Sequence, residues 1–218
     1  MEMRSKLYLE KLLACAGIRD AAELSERIMS KFGTLYTVIQ TESYKLVDMG
    51  FDPKAVELIR IASALTSRRI TDRFKSGKRY SDQQIREFIA GLLFSYTVET
   101  VYMLSFDKDG KFIVADLVDA GTVNSSGVIP RKILDIVLRR KAKKIILAHN
   151  HPCGRPAPSD NDIMTTATVK SVCESAGIEL LAHYVTAGFD MYECVSNIKC
   201  DYSEERVLCV SADIKGKI

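Results

Sequence analysis

The chain of 218 residues contains three histidines, and two of them, His149 and His151, are separated by a single residue. They follow residues 143–148, an apolar run with β-favouring side chains, and Pro152 comes directly after them. This pattern predicts a strand that ends at the proline. Side chains two residues apart in a strand point the same way, about 7 Å apart, so both imidazoles can reach one metal ion.

Asp162 offers a third ligand for the same ion. Ser159 is typical of a helix N-cap, and an acidic residue three positions later completes a capping box. Apolar residues then recur at helical spacing up to Gly177, so Asp162 is predicted at a helix N-terminus that faces the strand end. Two imidazoles and one carboxylate leave the fourth position of tetrahedral zinc to water, as in catalytic zinc sites. The alternative is that the histidines are polar strand-end residues and that Asp162 is only a cap.

The order and spacing of these residues resemble a known signature. The pattern is similar to the JAMM signature of MPN/JAB metalloproteases and reads His149-x-His151-Pro152-x6-Ser159-x2-Asp162. The full run of residues 149–162 resembles the RadC family of bacteria in particular, and the resemblance covers about residues 81–198.

The resemblance implies an enzyme, a zinc-dependent hydrolase of the JAMM type. Its substrate would be a protein or a peptide conjugate, in which metal-activated water cleaves an amide or isopeptide bond. The resemblance implies one zinc ion per chain, with His149, His151 and Asp162 as its ligands. It also implies Ser159 as a hydroxyl near the reacting carbonyl and a glutamate from an earlier strand.

Glu99 matches the family position of that glutamate. It precedes residues 100–106, a predicted strand that a turn joins to a second predicted strand, residues 111–115. A carboxylate there could take a proton from water and return it to the leaving amine. Asp116 and Asp119 are competing candidates with shorter side chains, and Glu99 could instead be an ordinary exposed carboxylate at a strand start.

Three further residues have more than one interpretation. Ser159 could cap the helix or direct its hydroxyl at a developing oxyanion. Cys153 stands where the family usually has serine; it could bind the metal or oxidise, but we expect it to fill a tight turn. His183 could support the metal site, yet we expect a hydrogen-bonded strand histidine, particularly because the family's preceding aspartate is Ala182 here.

The N-terminal residues 1–66 are predicted to form a small all-helical domain. The five apolar periodic stretches are residues 7–15, 21–32, 35–39, 44–49 and 53–65. They resemble the helix-hairpin-helix region that precedes the metal domain in RadC proteins. The hairpin is degenerate, because Asp52 replaces its second glycine with a charge that repels phosphate and Pro53 has no N–H to donate.

Positive charge is concentrated between the two predicted domains. Residues 66–79 contain six basic residues and one acidic residue, whereas residues 1–65 contain nine of each. We therefore predict a basic linker at residues 67–79 and a metal domain at residues 80–218. Such a linker could make weak, non-specific contact with DNA, although most charged segments are merely solvated.

The predicted order strand-strand-helix-strand-helix-strand indicates an α+β fold with a three-layer, α/β/α-like arrangement in the JAB/MPN domain. Its first helix is predicted at residues 130–141, and a last strand is predicted around residues 207–210. No apolar run has the length of a membrane span, and we expect no signal peptide, no membrane contact and a cytoplasmic location. The six cysteines include no C-x-x-C pair and are expected to be free thiols.

Three functions are compatible with this sequence. The first is the zinc hydrolase. The second is a DNA-associated repair or recombination accessory protein, which the family resemblance suggests and the degenerate hairpin disfavours. The third is a non-catalytic MPN scaffold, which the complete set of His149, His151 and Asp162 disfavours.

Overall fold

The computed structural model describes residues 2–121, 128–152, 154–196 and 198–200. The helices are α1 (Glu2–Cys15), α2 (Ala21–Phe32), α3 (Leu35–Gln40), α4 (Ser43–Asp48), α5 (Pro53–Thr71), α6 (Asp82–Leu93), α7 (Val128–Arg140) and α8 (Asp160–Ser175). The strands are β1 (Thr100–Phe106), β2 (Phe112–Ala120), β3 (Lys144–Asn150), β4 (Glu179–Ala187), β5 (Asp190–Glu193) and β6 (Ile198–Cys200).

The six strands form one mixed sheet in the order β2-β1-β3-β4-β5-β6. Helix α8 connects β3 to β4, which run parallel, while every other neighbouring pair is antiparallel. The register sets Val101 of β1 and Val185 of β4 on either side of His149. The end of β3 therefore lies in the middle of the sheet.

Helices cover both faces of this sheet. Side chains of α7 and α8, such as Ile133 and Val169, share a buried cluster with Met103 and Leu147 of the strands. The opposite cluster joins α6 to the other side of the same strands through residues that include Ile89, Phe88, Leu104, Ile146 and Tyr184. Nearly every residue of β1 and β3 is buried, because neighbouring residues point to opposite faces and helices cover both faces. The fold is α+β, and the sheet is the middle one of three layers.

The N-terminal part consists of α1 to α5 with a buried cluster of its own, which includes Leu13, Ile28, Leu46 and Ile59. In the degenerate hairpin turn, Asp52 caps α5 by accepting the N–H of Lys54 at 2.8 Å. The residue that disfavours phosphate binding therefore has a structural use as a helix cap.

The predicted order of elements from β1 to β4 is confirmed, but the end predicted for the fifth helix is wrong. Helix α5 does not end near Leu65 and continues to Thr71, so the predicted linker 67–79 begins inside it. The reason is tertiary packing, because Ile70 of α5 lies directly against Gly91 of α6. Further along the segment, Gly77 donates its N–H to the Phe112 carbonyl at 2.8 Å.

Three elements were not predicted. Helix α6 begins with a capping box in which Ser81 and Gln84 hydrogen-bond reciprocally, and this S-x-x-Q pattern is visible in the sequence. Strands β5 and β6 have four and three residues, which is too short for a clear alternation. The strand predicted around residues 207–210 lies outside the described residues.

Within the part of the chain that the structure describes, no helix combines the length and apolar character needed to cross a membrane. Cys15, Cys173 and Cys194 are free thiols in that part of the chain.

Candidate metal centre

Strand β3 and the residue after it position the two histidines. His149 lies within β3 and is almost fully buried. His151 follows the strand, and its N–H donates to the Thr186 carbonyl of β4 at 2.7 Å, so the backbone is still fixed at that point. Their Nε2 atoms lie 3.1 Å apart, as expected for side chains on the same face of an extended segment.

The first turn of α8 positions Asp162. Ser159 is the N-cap in an extended backbone conformation, and its hydroxyl accepts the Asp162 N–H at 3.2 Å. In return, Asp162 Oδ2 accepts the Ser159 N–H at 2.7 Å and the Ser159 hydroxyl at 2.6 Å. The capping box predicted from the sequence is confirmed, and it fixes the carboxylate toward the end of β3.

Glu99 reaches the site from the segment between α6 and β1. Its carbonyl accepts the Gly121 N–H at 2.9 Å, which ties this segment to the end of β2. Its Oε1 lies 3.8 Å from His149 Nε2, and 31% of its side chain is exposed, whereas the Asp162 side chain is only 6% exposed. Glu99 is therefore the acidic group of the site that water reaches more easily.

Glu99, His149, His151 and Asp162 form a compact group, since one ligand atom from each lies within 4.8 Å of all the others. Asp162 Oδ1 is 3.2 Å from His149 Nε2, and Asp162 Oδ2 is 3.4 Å from His151 Nε2. Ligands about 2.0–2.1 Å from a tetrahedral ion are separated by roughly 3.3 Å. The separations among the two histidines and Asp162 thus fit one metal ion with a tetrahedral ligand arrangement.

Hydrogen bonds on the far side of each ring also suit metal binding. His149 Nδ1 lies 3.0 Å from Nε2 of His183, and His151 Nδ1 lies 3.1 Å from the carbonyl of Arg155. When both Nδ1 atoms donate their hydrogen, both Nε2 atoms turn a lone pair toward Asp162. Two lone pairs and a carboxylate so close together repel one another unless a cation lies between them, so the residues present fit a metal ion.

The buried environment shifts the pKa values of the group in different directions. Burial alone would raise the pKa of Asp162, but when Nε2 of His149 and His151 carries hydrogen, the hydrogen bonds from these rings outweigh burial and hold its pKa well below the ordinary value. Burial raises the pKa of Glu99, against the opposing charges of the two histidines. The site therefore contains one carboxylate that stays ionised and one that binds a proton more readily.

His183 is a hydrogen-bonded strand histidine, as expected, and it also contacts His149 of the site directly, which favours the alternative that it supports the metal site. It is buried, and its Nδ1 lies 2.6 Å from the Thr166 hydroxyl, which in turn donates to the Asp162 carbonyl at 2.6 Å. Burial lowers the pKa of His183 to about 3, so the ring is neutral and its Nε2 can accept from His149. The parallel pairing of β3 with β4 brings the rings together, and the sequence alone does not reveal that pairing.

The competing carboxylates of β2 form ion pairs with basic side chains of α7 instead. Asp116 accepts from Arg140 at 2.6 Å and 3.0 Å, and Asp119 accepts from Lys132 at 2.7 Å. Both partners belong to α7, so these aspartates join β2 to that helix. Cys153 lies outside the described residues.

Comparison with known proteins agrees with this geometry. The family of the RadC-like JAB domain matches residues 80–214. Three similar relatives are all called UPF0758 proteins. The one from Shewanella woodyi is 31% identical over 170 residues, which cover 76% of this chain and 75% of the relative. Those from Chromobacterium violaceum and Photobacterium profundum are 30% identical over 172 residues (78% of this chain, 76% of the relative) and 28% identical over 168 residues (76% of this chain, 75% of the relative). With most of its length matched and its four candidate metal-binding residues inside the matched region, the chain belongs to the RadC-like JAB domain family.

Proposed function

We propose that this protein is a zinc-dependent hydrolase of the JAMM type that cleaves an amide or isopeptide bond. The observation that carries the proposal is the position of Glu99, a partly exposed carboxylate whose Oε1 lies 3.8 Å from Nε2 of a buried histidine of the ligand set. A structural zinc site is closed by a fourth protein ligand, but Glu99 Oε1 lies 3.8 Å from His149 Nε2, farther than the roughly 3.3 Å expected between two ligands of tetrahedral zinc. A catalytic site needs an acidic group beside its ligands, because water must lose a proton and the leaving amine must gain one.

His149, His151 and Asp162 would hold the zinc ion, one per chain. When bound, zinc would supply Lewis acidity, which polarises the scissile carbonyl and lowers the pKa of a coordinated water molecule. Two imidazoles and a carboxylate are borderline and hard ligands that suit zinc, and no cysteine belongs to the group among the residues that the structure describes.

Glu99 would act as general base and then as general acid. Burial raises its pKa, which improves its ability to accept a proton at neutral pH. Its partial exposure leaves room for water and substrate on the same side as the ligand set.

Ser159 and His183 would support the site in different ways. In this structure the Ser159 hydroxyl donates to Asp162, so it orients a ligand; its contact with a reacting carbonyl stays a prediction. Neutral His183 holds the His149 ring with Nε2 turned toward the metal position. The substrate would be a protein or peptide conjugate, and the free thiols support the cytoplasm as its location.

The experiment compares two substitutions that remove one negative charge each. Metal-loaded protein is screened against a library of peptide and isopeptide conjugates, and the best substrate is used with the Glu99→Gln and Asp162→Asn variants. Glu99→Gln should lower turnover by roughly 10²- to 10⁴-fold and leave the zinc content unchanged, because it removes the base and no ligand. Asp162→Asn should lower the zinc affinity itself, because a neutral amide is a poorer ligand.

Either of two results would contradict the proposal. Full turnover by Glu99→Gln would exclude Glu99 as the base. Absence of cleavage of every conjugate by zinc-loaded protein would favour the alternative function, a non-catalytic MPN scaffold.

A further inference from the structure

Asn150 stands between the two histidines, but its side chain serves a different part of the molecule. Alternate residues of a strand point to opposite faces, so Asn150 turns away from the side on which His149 and His151 meet. The residue is 1% exposed. A buried carboxamide offers two donors and an acceptor, and each needs a partner.

The partners of Asn150 are three backbone groups around Glu99. Its Oδ1 accepts the Thr100 N–H at 2.9 Å. Its Nδ2 donates to the carbonyls of Tyr96 at 3.2 Å and Val98 at 3.1 Å. One side chain thus binds alternate residues of a single segment, immediately before and after the glutamate.

Apart from Asn150, isolated contacts hold this segment, among them the bond of the Tyr96 N–H to the Leu93 carbonyl at 3.3 Å and the Tyr96 hydroxyl 2.6 Å from that of Tyr102. Residues 94–99 connect α6 to β1 and belong to neither helix nor strand, so no ladder of backbone hydrogen bonds fixes them. The Thr100 hydroxyl donates to the Val98 carbonyl at 2.9 Å, and the Gly121 N–H donates to the Glu99 carbonyl at 2.9 Å. Without Asn150, the buried N–H of Thr100 would lose its acceptor and the part-buried carbonyl of Tyr96 would lose a donor, which favours a rearrangement of the segment.

We propose that Asn150 is a positioning residue that holds Glu99 beside the ligand set by fixing the backbone on both sides of it. The proposal rests on the proposed function, in which Glu99 transfers the proton. Strand β3 and the residue after it then carry two ligands on one face and the support of the base on the other. A displacement of about 1 Å at a reacting group can cost roughly 100-fold in rate, so this rigid connection matters for turnover.

A first experiment measures how well the backbone of the segment is protected from hydrogen exchange, a quantity that can be measured without a substrate. Hydrogen exchange of the Thr100 amide is followed in metal-free full-length protein for the native sequence, Asn150→Ala, Asn150→Asp and a control. The control is Gln40→Leu, which removes another amide-to-carbonyl bond of a buried side chain, from Gln40 to Phe94 at 2.8 Å, at the end of the segment far from Thr100.

The Thr100 amide should exchange at least about tenfold faster in Asn150→Ala, because its acceptor is gone, and at the native rate in Gln40→Leu. Asn150→Asp keeps an acceptor for Thr100 and loses both donors, so the amide should stay protected. If Asn150→Ala does not fold, Asn150→Asp tests the proposal in its place, because it should lower turnover while the Thr100 amide stays protected. The proposal would be overturned if the Thr100 amide exchanged at the native rate in folded Asn150→Ala, or if Asn150→Asp turned over substrate at the native rate.

A second experiment asks whether the effect of Asn150 runs through Glu99. In zinc-loaded protein, Asn150→Ala should lower kcat by roughly 10- to 100-fold while the zinc content stays at that of the native protein. The same substitution in the Glu99→Gln variant should cause no further loss, because the base that it positions is already absent. An equal loss in both backgrounds, or a loss of zinc, would assign Asn150 a general structural role instead. If native protein cleaves no substrate, the proposed function fails, whereas the exchange of Thr100 still decides whether Asn150 fixes this segment.

Discussion

At the scale of single residues, the chemistry of the site depends on which nitrogen of each histidine carries the hydrogen. Acceptors at 3.0 Å and 3.1 Å from the two Nδ1 atoms favour the form in which both Nε2 atoms are free. For His149 the acceptor is His183, whose own Nδ1 meets the Thr166 hydroxyl. A chain of hydrogen bonds thus runs from a candidate ligand to the backbone of α8, and its members should affect metal affinity without touching the metal.

Removal of the Thr166 hydroxyl tests this chain. Thr166→Val keeps the size of the side chain but removes the acceptor for His183, so zinc affinity should fall by roughly tenfold. Thr168→Val is the matched control, because its hydroxyl also donates to a carbonyl four residues earlier on α8, at 2.9 Å, but is exposed. Competition with a chromophoric chelator measures both affinities. Equal zinc affinity of the native protein and Thr166→Val would show that the chain has no influence on the metal.

At the scale of elements, residue types and spacing predicted most of the strands and helices that carry the site. The proline after β3 and the capping box of α8 are local features. The end of β3 and the start of α8 therefore lie close to where the sequence indicates. The contact of His183 with His149 depends on which strands pair, and the length of α5 depends on its packing against α6. Such distant contacts leave no local pattern in a single sequence, so these features could not be predicted.

The contact of α5 with α6 can be tested at Gly91. A Cβ added there would lie 2.7 Å from Cβ of Ile70 and 2.5 Å from its Cγ2, so the two helices would have to separate. Gly91→Ala should lower the free energy of unfolding by roughly 1–3 kcal/mol, although alanine favours helices by about 1 kcal/mol over glycine. Denaturant titration measures the change. An unaltered or increased stability would show that this contact is not close in solution.

At the scale of the whole molecule, the N-terminal helices and the sheet meet around α6. Gln40 of α3 donates to the Phe94 carbonyl at 2.8 Å, and the ring of Tyr36 lies 5.9 Å from that of Phe94. Phe94 directly follows α6, at the start of the segment that carries Glu99. The basic residues of the segment 66–79 are exposed, and they include Arg68, Arg69, Arg73 and Lys75.

We predict that any binding of DNA is weak, independent of base sequence and strongly dependent on salt, because it would rest on residues 66–79, which contain six basic residues and one acidic residue. Replacement of Arg68, Arg69, Arg73 and Lys75 by glutamine should abolish it. Substitution of Arg139 and Lys141 provides the control, since these residues form a second exposed basic cluster at the end of α7. Fluorescence anisotropy with duplexes of unrelated sequence measures the affinity. Tight binding that survives the fourfold substitution, or that requires Gly50, the first glycine of the hairpin turn, would indicate that the helical hairpin binds DNA.

We propose that His149, His151 and Asp162 hold one zinc ion beside Glu99. The most direct test is the zinc content of protein purified without chelator, measured by mass spectrometry of the metal. The native chain should carry about one zinc ion, and the double variant His149→Ala with His151→Ala should carry none, because the remaining carboxylates bind zinc poorly without imidazole. Glu99→Gln should retain the native content. Stoichiometric zinc in the double variant, or native protein that binds no zinc when the ion is supplied, would contradict the account.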